Sequence, residues 1–143
     1  MNRKSQAALE FIMTYGWAIL VVLVAIGALA YFGVLSPDRF LPAKCILQSG
    51  IMCVDHKVTP AIITVRITNS LGYDISSITM KAGGCGTDTT PAALANGESG
   101  TYDITCGTPL TGSKYNNQLN LTYTVTETSI SHNNVGQLTT RIE

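Results

Sequence analysis

Two hydrophobic patterns divide the chain. From Phe11 to Leu35, twenty-five consecutive positions carry no charge, and apolar side chains fall on every side of a helix drawn through them. That pattern belongs to a helix surrounded by apolar material, not to an amphipathic helix on a protein surface. At 1.5 Å per residue the run is about 37 Å long, enough to cross a hydrocarbon core of about 30 Å. Gly16, Gly27 and Gly33 weaken a helix in water but are tolerated in membrane helices. Gly27, Ala30 and Gly33 form a row at three-residue spacing, along which a neighbouring helix can approach closely. A loosened stretch near Gly27 or Gly33 stays open. Pro37 and Pro42 are expected to mark the exit, because proline cannot continue a helix interior. The helix is therefore drawn to residue 36.

Beyond Ser36 the period changes from none to two. Ile63, Val65 and Ile67 alternate with Ile62, Thr64, Arg66 and Thr68. Tyr102, Ile104 and Cys106 alternate with Thr101, Asp103 and Thr105. Leu119, Leu121, Tyr123 and Val125 alternate with Asn120, Thr122, Thr124 and Thr126. Alternation with threonine on the open face predicts strands with one buried side. Weaker strand candidates cover Cys45–Lys57, Asp74–Lys81 and Val135–Ile142. Turn signals fall at Asn69–Gly72, Gly83-Gly84, Asn96-Gly97 and Tyr115–Asn117. Six or seven short strands at this spacing predict an antiparallel, immunoglobulin-like β-sandwich over residues 37–143. The fold class is thus α+β, a long N-terminal hydrophobic helix followed by that sandwich.

Composition sharpens this division. The chain is 45% hydrophobic and 13% charged, the reverse of a disordered solvating tail. Nine basic and nine acidic residues cancel, which leaves no basic patch for nucleic acid. Seventeen of the eighteen threonines follow Ser36. Arg3 and Lys4 precede the apolar run with no acid among them, so the positive-inside rule places the N-terminus in the cytoplasm and the C-terminal domain outside.

The four cysteines, Cys45, Cys53, Cys85 and Cys106, all lie in that outer domain, where disulfides persist. They form no CxxC and no zinc-finger spacing, so no metal site is expected. Three connectivities exist for two bridges. The two local pairings, Cys45–Cys53 and Cys85–Cys106, are favoured over the others, and four reduced core cysteines are the remaining alternative. A Cys85–Cys106 bridge would close a loop of about 20 residues, for about 3 kcal/mol in the chain-entropy model.

Catalytic signals are weak. His56 and His132 have no recognisable nucleophile beside them. Asp55, Asp74, Asp88 and Asp103 lack calcium-loop spacing. Gly83–Gly86 lacks the lysine and helix of a phosphate loop. No enzyme activity and no cofactor are expected. Asn120-Leu121-Thr122 is a glycosylation sequon on the threonine-rich face of its strand, which makes Asn120 a candidate N-glycosylation acceptor.

Three roles compete for the apolar rod: a single-pass anchor, a secretory signal peptide ending at Ala28-Leu29-Ala30, and a rod made in the membrane and later packed into a filament. Glu10 distinguishes them. It stands at the edge of the apolar run, where neither an anchor nor a signal peptide needs an acid. A buried unpaired carboxylate is destabilising by several kcal/mol, so a partner is expected.

The stretch Lys4-Ser5-Gln6-Ala7-Ala8-Leu9-Glu10-Phe11, continuing as IMTYGWAILVVLVAIGALAYFGVL, resembles the class III signal peptide of archaeal type IV pilins. Bacterial TadE-like pseudopilins share a similar start. The resemblance covers about the first 36 residues. It implies that a membrane-embedded prepilin peptidase cuts between Ser5 and Gln6, although glycine or alanine is commoner before the cut. It implies a leader of residues 1–5, a membrane and filament-core helix of residues 6–36, and a glutamate fifth in the mature chain, which is Glu10. It further implies self-assembly through the N-terminal helices, a pilus assembly machinery as partner, and a filament at the cell surface used for attachment. After such a cut the α-amine of Gln6, with a reference pKa near 7.7–8.0, is mostly positive at neutral pH. It could pair with Glu10 four residues on, or with Glu10 of a neighbouring subunit.

Overall fold

A computed structural model describes residues 2–35 and 42–143. The chain divides into two units, residues 1–41 and 42–143. The first is built on one helix, α1 (Arg3–Tyr31), of 29 residues. Its end differs from expectation. The helix stops at Tyr31, several residues short of residue 36, and the cause is Gly33 rather than a proline. Gly33 takes φ +73°, a conformation open to glycine because it has no Cβ. Its N–H donates to the Ala30 carbonyl at 3.1 Å, and the Val34 N–H donates to the Leu29 carbonyl at 3.1 Å. This pair of bonds satisfies two carbonyls that the helix end would leave open. Gly27 stays inside the helix, so the break falls at Gly33. Pro37 lies outside the described residues, as does the expected boundary between residues 36 and 37; Pro42 opens the second unit.

The second unit is the β-sandwich. Its strands are β1 (Lys44–Ile46), β2 (Ile51–Val58), β3 (Ile62–Asn69), β4 (Ile75–Ala82), β5 (Thr87–Asp88), β6 (Ser99–Thr105), β7 (Lys114–Val125) and β8 (Ile130–Arg141). One sheet runs β1-β8-β7-β4-β5 and the other β2-β3-β6. All named pairings are antiparallel. Ile63, Val65 and Ile67 of β3 and Tyr102 and Ile104 of β6 are fully buried, as are Leu119 and Leu121 of β7. The strong alternations therefore mark the inner faces of both sheets. Thr64, Arg66 and Thr68 sit opposite Asp103, Thr101 and Ser99. Side-chain hydrogen bonds join each of these pairs on the open face.

Two of the three weak strand candidates contain bulges. In β4 the register shifts between Ser76 and Thr79, and Ser77 takes φ +50°. Ile75 and Ile78 are three apart yet both are buried, because the extra residue turns the second one inward. In β2 the register shifts between Cys53 and Asp55. The Cys45–Lys57 candidate is in fact two strands in different sheets. Another expectation is corrected outright: Tyr115–Asn117 is not a turn but lies inside β7, paired with β8 from Asn117↔Leu138 to Tyr115↔Thr140. Two adjacent asparagines mimic a turn signal, but the long β8 partner holds them extended.

Both open sides of the sandwich are stapled. Cys45 on edge strand β1 is bonded to Cys53 on edge strand β2. On the opposite side, Cys85 in the turn between β4 and β5 is bonded to Cys106, which directly follows edge strand β6. Backbone bonds support each staple. Gly86 N–H donates to the Thr105 carbonyl at 2.9 Å, and Glu143 N–H to the Val58 carbonyl at 2.8 Å. The edges that would otherwise invite another chain are thereby covered from within.

Candidate functional site

The sequence places its strongest functional signal on α1. No residue of this 29-residue helix is buried, and Phe11, Trp17, Leu20, Val24 and Phe32 are each exposed by half or more. Phe11 and Tyr15 lie on one face with ring centroids 4.8 Å apart, as their four-residue spacing requires. The helix is long and apolar enough to cross a membrane. Soluble monomers rarely leave so much contiguous apolar surface uncovered.

The residues for which the resemblance implies processing and assembly, Ser5, Gln6 and Glu10, lie in the first turns of this helix. Ser5 and Gln6 are in its opening turn, and both their N–H groups donate to the Asn2 carbonyl, at 2.9 and 3.2 Å. The turn is weakly held. The Asn2 side chain makes no capping bond, and no acid occupies the first turn. Arg3 and Lys4 instead put positive charge at the positive end of the helix dipole, which is unfavourable. Glu10 lies two turns in on the same helix. It is exposed, and among the described residues the ion pair present joins Lys57 and Glu143 instead. Gln6 and Glu10 keep the four-residue spacing that brings side chains together on one face.

In the sandwich, the cysteine positions converge as two inter-sheet bridges, Cys45–Cys53 and Cys85–Cys106. Asn120 stands on β7, the middle strand of its sheet, opposite Lys81 and Val135. Thr122 of the sequon is exposed, but Asn120 is half-buried, and its Oδ1 is buried with no hydrogen-bond partner. The two histidines lie on strands of different sheets. His132 stacks on Tyr123 at 5.5 Å. His56 lies on β2 near the Cys45–Cys53 bridge.

Asp74, Asp88 and Asp103 are occupied by structural bonds. Asp88 accepts from Thr90 N–H at 3.1 Å and from Asp103 N–H at 2.7 Å. Asp103 accepts from the Thr64 hydroxyl at 2.7 Å. Asp74 accepts from Asn96 N–H at 2.8 Å. The buried tyrosines are also tied. Tyr102 donates to the Pro91 carbonyl at 2.7 Å and Tyr115 to the Gly83 carbonyl at 2.6 Å. Burial raises the Tyr102 phenol far above its ordinary range, with the Asp88 charge acting the same way. Burial pushes Tyr115 up to about 12 and raises Tyr123. A cleft of about 410 Å³ opens beside Tyr115, lined among others by Thr108, Leu110, Asn117 and Ile142.

Sequence reasoning missed three positions that shape the domain. Asn69 is fully buried and donates to the carbonyls of Tyr73, Leu94 and Ala95. Asn134 is buried and clamps Gln48, accepting from its N–H at 2.8 Å and donating to its carbonyl at 3.3 Å. A Cβ at Gly136 would collide with the Ile46 carbonyl, so glycine lets the chain cross there from β1 toward β2. The one available signal was a buried-face asparagine or glycine interrupting an apolar series. No family model matches the chain, and no curated protein matches it.

Proposed function

We propose that this chain is the structural subunit of an extracellular, type IV pilin-like filament, assembled through α1 and used for attachment to surfaces or cells. The observation that carries this reading is the helix: 29 residues, apolar on all sides, with none of them buried. Such a surface needs lipid or copies of itself. Assembly would exchange lipid contacts for helix contacts, with Gly27 and Ala30 allowing close approach. The opening turn supports processing as well. It lacks a cap and carries charges of the wrong sign, so it can unwind for a peptidase that reads Ser5 and Gln6. Removing residues 1–5 deletes Arg3 and Lys4 and leaves Glu10 about one turn from a new positive terminus. Glu10, which has no ion-pair partner among the described residues, would then meet the Gln6 amine of its own or a neighbouring helix. The sandwich, stapled along both sides, would form the filament surface outside the cell. The prepilin peptidase and an assembly machinery are the implied partners.

The alternative is a single-pass, membrane-anchored extracellular binding domain that does not polymerise. It also uses α1, and it fits a helix that runs unbroken from Arg3 through Ser5 and Gln6. Mass spectrometry of the exported protein, with electron microscopy of sheared surface material, separates the two. The filament reading expects an N-terminus at Gln6 and filaments containing the subunit. An intact leader without filaments supports the anchor, and a start at Tyr31 supports a secretory signal.

A further inference from the structure

We propose that the Cys45–Cys53 staple is a redox-gated zinc site, in which the two thiolates and the His56 imidazole bind the ion once the disulfide is opened. The placement of His56 carries this. In a regular strand, residues 53 and 56 would face opposite sides of the sheet. The extra residue between Cys53 and Asp55 reverses that parity, so Cys53 and His56 share a face. Cys45 reaches the same spot from β1 in the other sheet. The Sγ atoms of Cys45 and Cys53 and a ring nitrogen of His56 all lie within 4.8 Å of one another, and all three residues are half-buried. Among the described residues this is the one cluster of three such donors; the Cys85–Cys106 bridge has no third member.

The spacing suits the ion. Zinc takes thiolate sulfur at about 2.3 Å and imidazole nitrogen at about 2.0–2.1 Å in tetrahedral geometry, which separates its ligands by about 3.5–3.8 Å. The three donor atoms already lie within 4.8 Å of one another, so ligation needs only a small shift once the sulfur–sulfur bond is open. β1 can supply it, because it is a three-residue strand at the sheet edge. The chemistry balances with a dithiol as reductant. It supplies two electrons and two protons, the Cys45–Cys53 bond breaks into two thiols, and the dithiol becomes a disulfide. Zinc then displaces the two thiol protons and takes a neutral imidazole nitrogen. Three protein ligands leave the fourth position to water. The bound ion spans β1 and β2 where the disulfide did, so the same side of the sandwich is closed in both redox states.

The test uses the full chain in detergent micelles. Graded dithiol treatment with alkylation and peptide mapping should open Cys45–Cys53 before Cys85–Cys106, because Cys106 is only 6% exposed. Cobalt(II) added to the reduced chain should give one equivalent of a thiolate-to-cobalt charge-transfer band, displaced by zinc(II). The oxidised chain should give none. His56→Ala should weaken the affinity at least about tenfold, since one of three ligands is lost, and zinc should raise the melting temperature of the reduced wild type. His56→Ala also guards against misfolding, because among the described residues the half-buried side chain has no hydrogen bond of its own and only the backbone N–H donates, to Asp55 Oδ1. No band in the reduced chain, an equal band in the oxidised chain, or an affinity unchanged by His56→Ala would each overturn the proposal.

Discussion

Tyr31 on α1 is 87% exposed, whereas Tyr102 on β6 is fully buried and its hydroxyl is bonded to the Pro91 carbonyl. The same contrast runs through both units. In the sandwich, apolar side chains find partners within about one hundred residues of chain, and the edges are bonded shut. In α1 they find none. A β-sheet that is apolar on one face can bury it against a second sheet of the same chain. A single helix that is apolar all round cannot bury that surface against itself, and no residue of α1 is buried. The sandwich thus completes its own stability, while the helix states a requirement for surroundings: under the proposed function, lipid at first and then copies of itself.

The comparison can be broken most sharply at Glu10. Glu10→Gln keeps size and removes charge. If Glu10 docks a buried amine, one-sided loss of the pair is worth about 3–5 kcal/mol, or roughly two to three and a half orders of magnitude in subunit addition. Filament counts by electron microscopy should collapse while leader removal continues. Wild-type filament numbers would remove the docking mechanism. Next in size is Cys85→Ser, which opens one side of the sandwich. Denaturant titration should show a loss of about 2–5 kcal/mol, with no change in the helicity of α1.

A smaller effect concerns pH. The Tyr115 phenol rises from 10.0 to about 12 on folding. Below pH 10 both states are protonated and the contribution is intact. Between about pH 10 and 12 only the unfolded chain ionises, so stability should fall as pH rises through that window. Tyr115→Phe should lessen that slope and lose about 1 kcal/mol at neutral pH with the bond to Gly83. The slope should not vanish, because Tyr102 shifts in the same direction. The smallest effect should come from deleting residues 1–41. The buried core among the described residues is made wholly by residues 42–143, so the remaining sandwich should stay folded and melt cooperatively, as read by circular dichroism. Loss of the cooperative transition would show that this core is not sufficient by itself.

Legibility in the sequence followed regularity. β3, β6 and β7 were plain, because along most of their length polar residues face out and apolar ones face in, exposed Ile62 and buried Asn69 at the two ends of β3 being exceptions. β2 and β4 were faint because each contains a bulge that shifts the period by one residue. The long β8 was seen only in its second half. Its first half puts His132 and Asn134 on the inner face, where a period-two reading expects apolar residues. The helix end was misplaced because proline is a louder signal than glycine, yet Gly33 can adopt the left-handed turn that satisfies two carbonyls.

By itself the sequence determined the division into an apolar rod and a threonine-faced β domain, since a charge-free run and a period of two need no tertiary information. It also confined the four cysteines to the second part. Only the tertiary structure decided which edges those cysteines close and that His56 joins one of them. It also decided that Asn120 stands in mid-sheet and that a glycine at 136 lets the chain cross between sheets. These depend on register and bulges, which set the face a side chain takes, and register is chosen by the partner strand rather than by the residue.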